Sequence, residues 1–114
     1  MAPYSDGSKL WRQQNKDSVQ KWQTEMNDLR NLANLENWTH ERLDIEVAQR
    51  LDTDLRKIWE FCYRYTARYR GSNLAKFFGE ALAEIREYGT LEPSRKRRLL
   101  KAIETTGRKM HGKR

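Results

Sequence analysis

Thr39-His40-Glu41-Arg42-Leu43-Asp44-Ile45-Glu46-Val47-Ala48-Gln49-Arg50-Leu51-Asp52-Thr53-Asp54-Leu55-Arg56-Lys57-Ile58-Trp59-Glu60-Phe61-Cys62-Tyr63-Arg64-Tyr65-Thr66-Ala67-Arg68-Tyr69-Arg70-Gly71 is the stretch on which the fold turns. Within it Leu43, Val47, Leu51, Leu55, Ile58, Cys62, Tyr65 and Tyr69 recur at steps of four and three, the period of one stripe on a helix. Thr39 stands where a hydroxyl accepts from the free amides of a first turn, and Gly71 where a left-handed residue stops a helix. The pattern predicts one helix about 45 Å long at about 1.5 Å per residue. Asp52-Thr53-Asp54 is the place inside it where the cap of a second helix would fit.

Upstream, Val19, Trp22, Met26, Leu29 and Ala33 make a second stripe and predict a helix from Lys9 to Leu35. Trp11 falls off that stripe and Gln13-Gln14-Asn15 is polar all round, which marks the first turns as the weak part. Downstream, Ser72 or Asn73 can cap a helix whose stripe is Leu74, Phe78, Ala81, Ile85 and Tyr88, with Gly89 to end it. Ala75, Gly79 and Ala83 sit four apart on its other edge and predict a close helix crossing. Pro93 fits a first helical turn, and Leu99, Ala102, Ile103 and Thr106 form a short stripe before Gly107. No strand-like alternation and no internal repeat occurs. The expected fold is all-α: a single-domain bundle of about four helices, two long and two short, with flexible termini. Residues 1–8 read as a lead-in, 9–106 as the helical domain and 107–114 as a basic tail.

The chain of 114 residues is 37% hydrophobic and 34% charged, so its core is expected to be thin or shared with a partner. Trp11, Trp22, Trp38 and Trp59 partly offset this through the large area each ring can bury. Cys62 is the lone cysteine. It excludes an intramolecular disulfide and a cysteine zinc cluster, and it favours an intracellular, cytoplasmic setting. The start of the chain lacks the pattern of a secretory signal, no long apolar run occurs, and no membrane association is expected.

Charge is the strongest functional signal. From Pro93 onward stand Arg95, Lys96, Arg97, Arg98, Lys101, Arg108, Lys109, Lys113 and Arg114 against Glu104 alone, a sum of +8. The whole chain carries +7, so residues 1–92 sum to −1. A basic block on a nearly neutral body is a handle for a polyanion, most often nucleic acid. Arg97, Lys101, Arg108 and Lys109 are the positions expected to reach outward, with Arg95, Lys96 and Arg98 completing the block. A second basic face combines Lys57, Phe61, Arg64 and Arg68 at steps of four, three and four, a mixture that contacts phosphates and stacks on unpaired bases. Residues 36–54 sum to −4 and form either a solvated acidic face or a receptor for the basic end of another copy.

Catalysis finds little footing. His40 and His111 have no identifiable nucleophile to activate, Cys62 lies on a core stripe, and no metal-ligand cluster or phosphate loop is present, so no cofactor, no metal and no enzymatic activity are expected. These features point to a small helical subunit that binds the nucleic-acid backbone, of DNA or RNA, within a nucleoprotein complex, with protein partners or self-association. The alternatives are a helix-turn-helix reader of duplex DNA and a helical adaptor or oligomerising scaffold.

Overall fold

In a computed structural model that describes residues 6–111, and the side chains of residues 8–109, the chain forms six helices. They are α1 (Asp6–Gln14), α2 (Lys16–Leu35), α3 (His40–Gln49), α4 (Thr53–Arg68), α5 (Asn73–Tyr88) and α6 (Pro93–His111). No strand occurs among the described residues. The all-α, single-domain expectation holds, but six helices replace the expected four because each of the two expected long helices is broken once, at Asn15 and at the Asp52-Thr53-Asp54 cap.

The break at Asp52 has a clear chemistry. The Leu55 N–H donates to the Asp52 carboxylate at 2.8 Å, which starts α4. On the other side of the corner, the Arg56 guanidinium donates to the carbonyls of Ala48, Gln49 and Leu51 at 3.0, 3.2 and 3.1 Å, satisfying groups that the end of α3 leaves open. Leu51 and Leu55 are both buried across the corner, so the apolar period runs on while the backbone turns. The α1–α2 break is milder. Backbone bonds bridge it, Asn15 N–H to the Trp11 carbonyl and Val19 N–H to the Asn15 carbonyl, and Asn15 Nδ2 also donates to Trp11.

Among the described residues, left-handed ones follow three helix ends: Gly71, with φ 84°, comes after α4 as its sequence position implied, and Asn37 and Gly89 follow α2 and α5. Asn37 has φ 55°, and the Trp38 N–H returns to the Ala33 carbonyl at 2.9 Å, closing α2 in a Schellman arrangement. Gly89 has φ 67° and its N–H bonds the Ile85 carbonyl at 2.8 Å. A Cβ on Gly89 would overlap the indole of Trp22, whose Nε1 donates to the Arg86 carbonyl at 2.9 Å. Here glycine supplies both the backbone angle and the space for a ring from α2.

The core gathers Trp22, Met26 and Leu29 from α2, Ile58, Trp59 and Cys62 from α4, Phe78, Ala81 and Ile85 from α5, and Leu99 and Ile103 from α6. The most extensive helix pair is α4 with α5. Gly79 lies there opposite the Thr66 methyl, with Ala75 buried, whereas Ala83 faces solvent, so the small-residue edge is used over two of its three positions. The N-terminal helix is tied to the far end of α5: Trp11 Nε1 donates to Thr90 Oγ1 at 3.3 Å, and the Arg12 guanidinium lies 4.2 Å from the centre of the Tyr88 ring. α6 continues through Gly107 to His111, into the stretch expected as a tail; α1 starts at Asp6, inside the expected lead-in. Residues 1–5 and 112–114 lie outside the described residues.

Candidate nucleic-acid interface

α6 sorts its cations by face. Arg95 shares the inward stripe with Leu99, Ala102 and Thr106 and is 7% exposed. Its Nε donates to Glu84 Oε1 at 2.6 Å, and Glu84 is itself 1% exposed. Arg12 approaches the other carboxylate oxygen at 3.8 Å, so one buried acid on α5 joins α1 and α6. Burial pushes the Glu84 carboxyl above its usual range, against the pull of the Arg95 and Arg12 guanidiniums. Arg95 therefore leaves the set of expected phosphate contacts: it is a buried partner of Glu84, because its position on the helix coincides with the core stripe.

On the opposite side, Arg97, Lys101, Glu104 and Arg108 follow steps of four, three and four and are all exposed. Arg108 donates to Glu104 at 3.1 Å, an exposed pair of small energetic weight. Arg98 and Lys109 are exposed on one flank, and Lys96 is half-buried on the other. Among the described residues, no carboxylate lies within ion-pair distance of Lys96, Arg97, Arg98, Lys101 or Lys109. The helix start is held instead by Glu92, whose carboxylate accepts from the Ser94 N–H and hydroxyl at 3.1 Å and from the Arg95 N–H at 3.2 Å. Those bonds, the Ser94 amide first, hold the Glu92 carboxyl below its ordinary value.

The second basic face lies on α4, where Lys57, Arg64 and Arg68 are exposed. Phe61 departs from the expectation of a ring on an open face. It is half-buried, stacked beside Tyr65 with centroids 6.0 Å apart and set edge-on to Phe78 at 5.4 Å. The remaining surface of Phe61 lines a cleft of about 400 Å³ with Arg56, Lys57, Glu60, Arg64 and, from α6, Ile103. Sequence periodicity placed the α4 residues together; the contribution of α6 required the fold.

Around the acidic segment two arginines are paired. Arg86 pairs with Asp44 at 3.3 Å, and Arg50 with Glu46 at 3.5 Å and Glu25 at 3.9 Å. With Asp52 used as a cap, much of the acidic segment 36–54 is occupied internally. Two further grooves escaped sequence reasoning. One, about 450 Å³ between α1 and α2, is lined by Lys9, Arg12, Lys16, Gln13, Gln20 and Gln23, and its signal is the spacing of three and four between its cations. The other, about 510 Å³ between α3 and α4, has Ile45, Trp59 and Tyr63 with Glu41, Asp44 and Glu60 at its rim.

Cys62 is fully buried, and burial pushes its thiol up to about 12. His40 is exposed, and the His111 side chain lies outside the described ones. No cluster of three potential metal ligands occurs among the described residues, and none of their helices is long and apolar enough to cross a membrane. No protein family, no curated protein and no solved structure matches the chain.

Proposed function

We propose that this chain is a small, non-enzymatic helical subunit that grips the backbone of a nucleic acid within a larger nucleoprotein assembly. The observation that carries the reading is the crowding of exposed cations along one helix. Arg97, Arg98, Lys101 and Lys109 stay open to solvent on α6 with no carboxylate of the described residues at ion-pair distance, and Arg108 beside them pairs only with the exposed Glu104. Unpaired cations on one helix are disposed to displace counterions from a phosphate chain. Contacts of this kind position a protein without reading sequence, so similar affinity for scrambled sequences is expected.

A salt titration of binding tests this directly. For about six phosphate contacts, affinity for a labelled oligonucleotide should fall roughly 10³-fold between about 50 and 200 mM salt. A flat response in fluorescence anisotropy defeats the proposal.

A further inference from the structure

We propose that the cleft between α4 and α6 holds an unpaired nucleobase, so that single strands are the class of nucleic acid this protein takes. This rests on the nucleic-acid reading above and deepens it.

The cleft combines what a single strand needs within one small volume. Its floor is the free surface of Phe61, fixed in place by Tyr65 and Phe78. Lys57 and Arg64 stand on either side of that ring, one turn before and one turn after it, Ile103 closes the α6 side, and the one carboxylate of the lining, Glu60, is outnumbered by Arg56, Lys57 and Arg64. At about 400 Å³ it falls within the range of small-ligand sites, about 300–1,000 Å³. A flat base can lie against the ring while its neighbouring phosphates meet the two cations, an arrangement in which stacking is indifferent to base identity. A duplex keeps its base faces stacked on one another and cannot offer one to the ring.

The edge of α6 beside the cleft suits a polymer. Lys96, Leu100, Ile103 and Gly107 follow steps of four, three and four, and nothing lies within 4 Å of where a Cβ on Gly107 would stand. A sugar-phosphate chain has room to approach the helix backbone there. The other two grooves fit the same ligand less well. The α3–α4 groove has rings but sets three carboxylates, Glu41, Asp44 and Glu60, against the single cation Arg56, whereas the α4–α6 cleft sets Arg56, Lys57 and Arg64 against Glu60 alone; the α1–α2 groove has cations but no aromatic ring in its lining.

The test compares a fluorescent oligothymidylate with a duplex of equal length on the full chain at fixed salt. The single strand is expected to bind at least about 10-fold tighter, and Phe61→Leu to lower its affinity about 5-fold or more and bring the single-strand to duplex ratio toward one. Circular dichroism melting checks that the variant folds. Should it not fold, photo-cross-linking of a 5-iodouracil oligonucleotide to the wild-type chain decides instead, with adducts expected on the peptides holding Phe61 or Ile103. Equal affinity for both nucleic acids, or adducts confined to the outer stripe of α6, overturns the cleft proposal while leaving the backbone grip standing. Absence of salt-dependent binding to either oligonucleotide overturns both.

Discussion

Arg95 and Arg97 are two positions apart and meet opposite fates, because two residues of helix turn the side chain by about 200°. One is buried against Glu84; the other stands in solvent. Removing one member of a buried ion pair leaves its partner's charge uncompensated, at a cost of about 3–5 kcal/mol. Arg95→Ala is therefore expected to lower unfolding stability by about 3 kcal/mol, near the bottom of that range because Arg12 remains beside Glu84. A Glu84→Leu, Arg95→Met double variant should recover only part of the loss in urea denaturation, because Arg12 then loses the Glu84 carboxylate. Loss of nucleic-acid binding in Arg95→Ala alone would then trace to folding. The sequence pattern placed Arg95 beside an apolar stripe, but its partner was harder to see. Glu84 lies three residues after Ala81 and four before Tyr88, a spacing that announces an inward position only once a guanidinium is known to meet it.

At the scale of the element, helix existence was legible, and the breaks were legible only as weak points, at Gln13-Gln14-Asn15 and Asp52-Thr53-Asp54. The stripe from Leu43 to Tyr69 keeps its period through the corner at Asp52, since a short turn that buries Leu51 and Leu55 alike leaves the spacing intact. The distinguishing chemistry is local: a carboxylate at a cap position and Arg56 four residues on, able to reach back to open carbonyls. The same logic governs α6. Its first turn contains no acidic residue, and cations near a helix start oppose its dipole, so Glu92 carries the capping role just outside it. Because its carboxyl is held below its ordinary value of 4.5, its contribution is fully present above pH 4.5 and is lost as pH falls through the lower folded value. In urea denaturation at a series of pH values, the advantage of the wild type over Glu92→Gln should shrink steadily below pH 4.5. Glu84 is shifted in the opposite direction, chiefly by burial, which both proteins share, and least by the charge of Glu92 itself.

Over the whole molecule, charge is segregated: a body summing to −1 carries a C-terminal segment of +8. That segregation was fully legible in composition, whereas the cleft was not, because α4 and α6 lie far apart in the chain and only their packing sets Phe61 beside Ile103. Segregated charge strains the fold that bears it. Lys101 lies four and three residues from Arg97 and Arg98, two like-charge neighbours that each cost about 0.2–0.5 kcal/mol. Lys101→Glu turns both into attractive pairs but sets a new acid three residues from Glu104, and the balance is a gain of about 0.5 kcal/mol. Thermal melts should show the variant slightly more stable, while anisotropy shows weaker hold on the oligonucleotide. Opposite signs from one substitution separate a cation kept for a ligand from one kept for the fold.

The notch at Gly89 ties two distant positions together. Residue 89 has no side chain because an indole contributed by a distant helix occupies that space, and the indole in turn is anchored to the carbonyl of Arg86 beside the notch. A side chain at residue 89 finds room only once the ring at residue 22 has given way to something smaller, and even then it must bear the left-handed backbone.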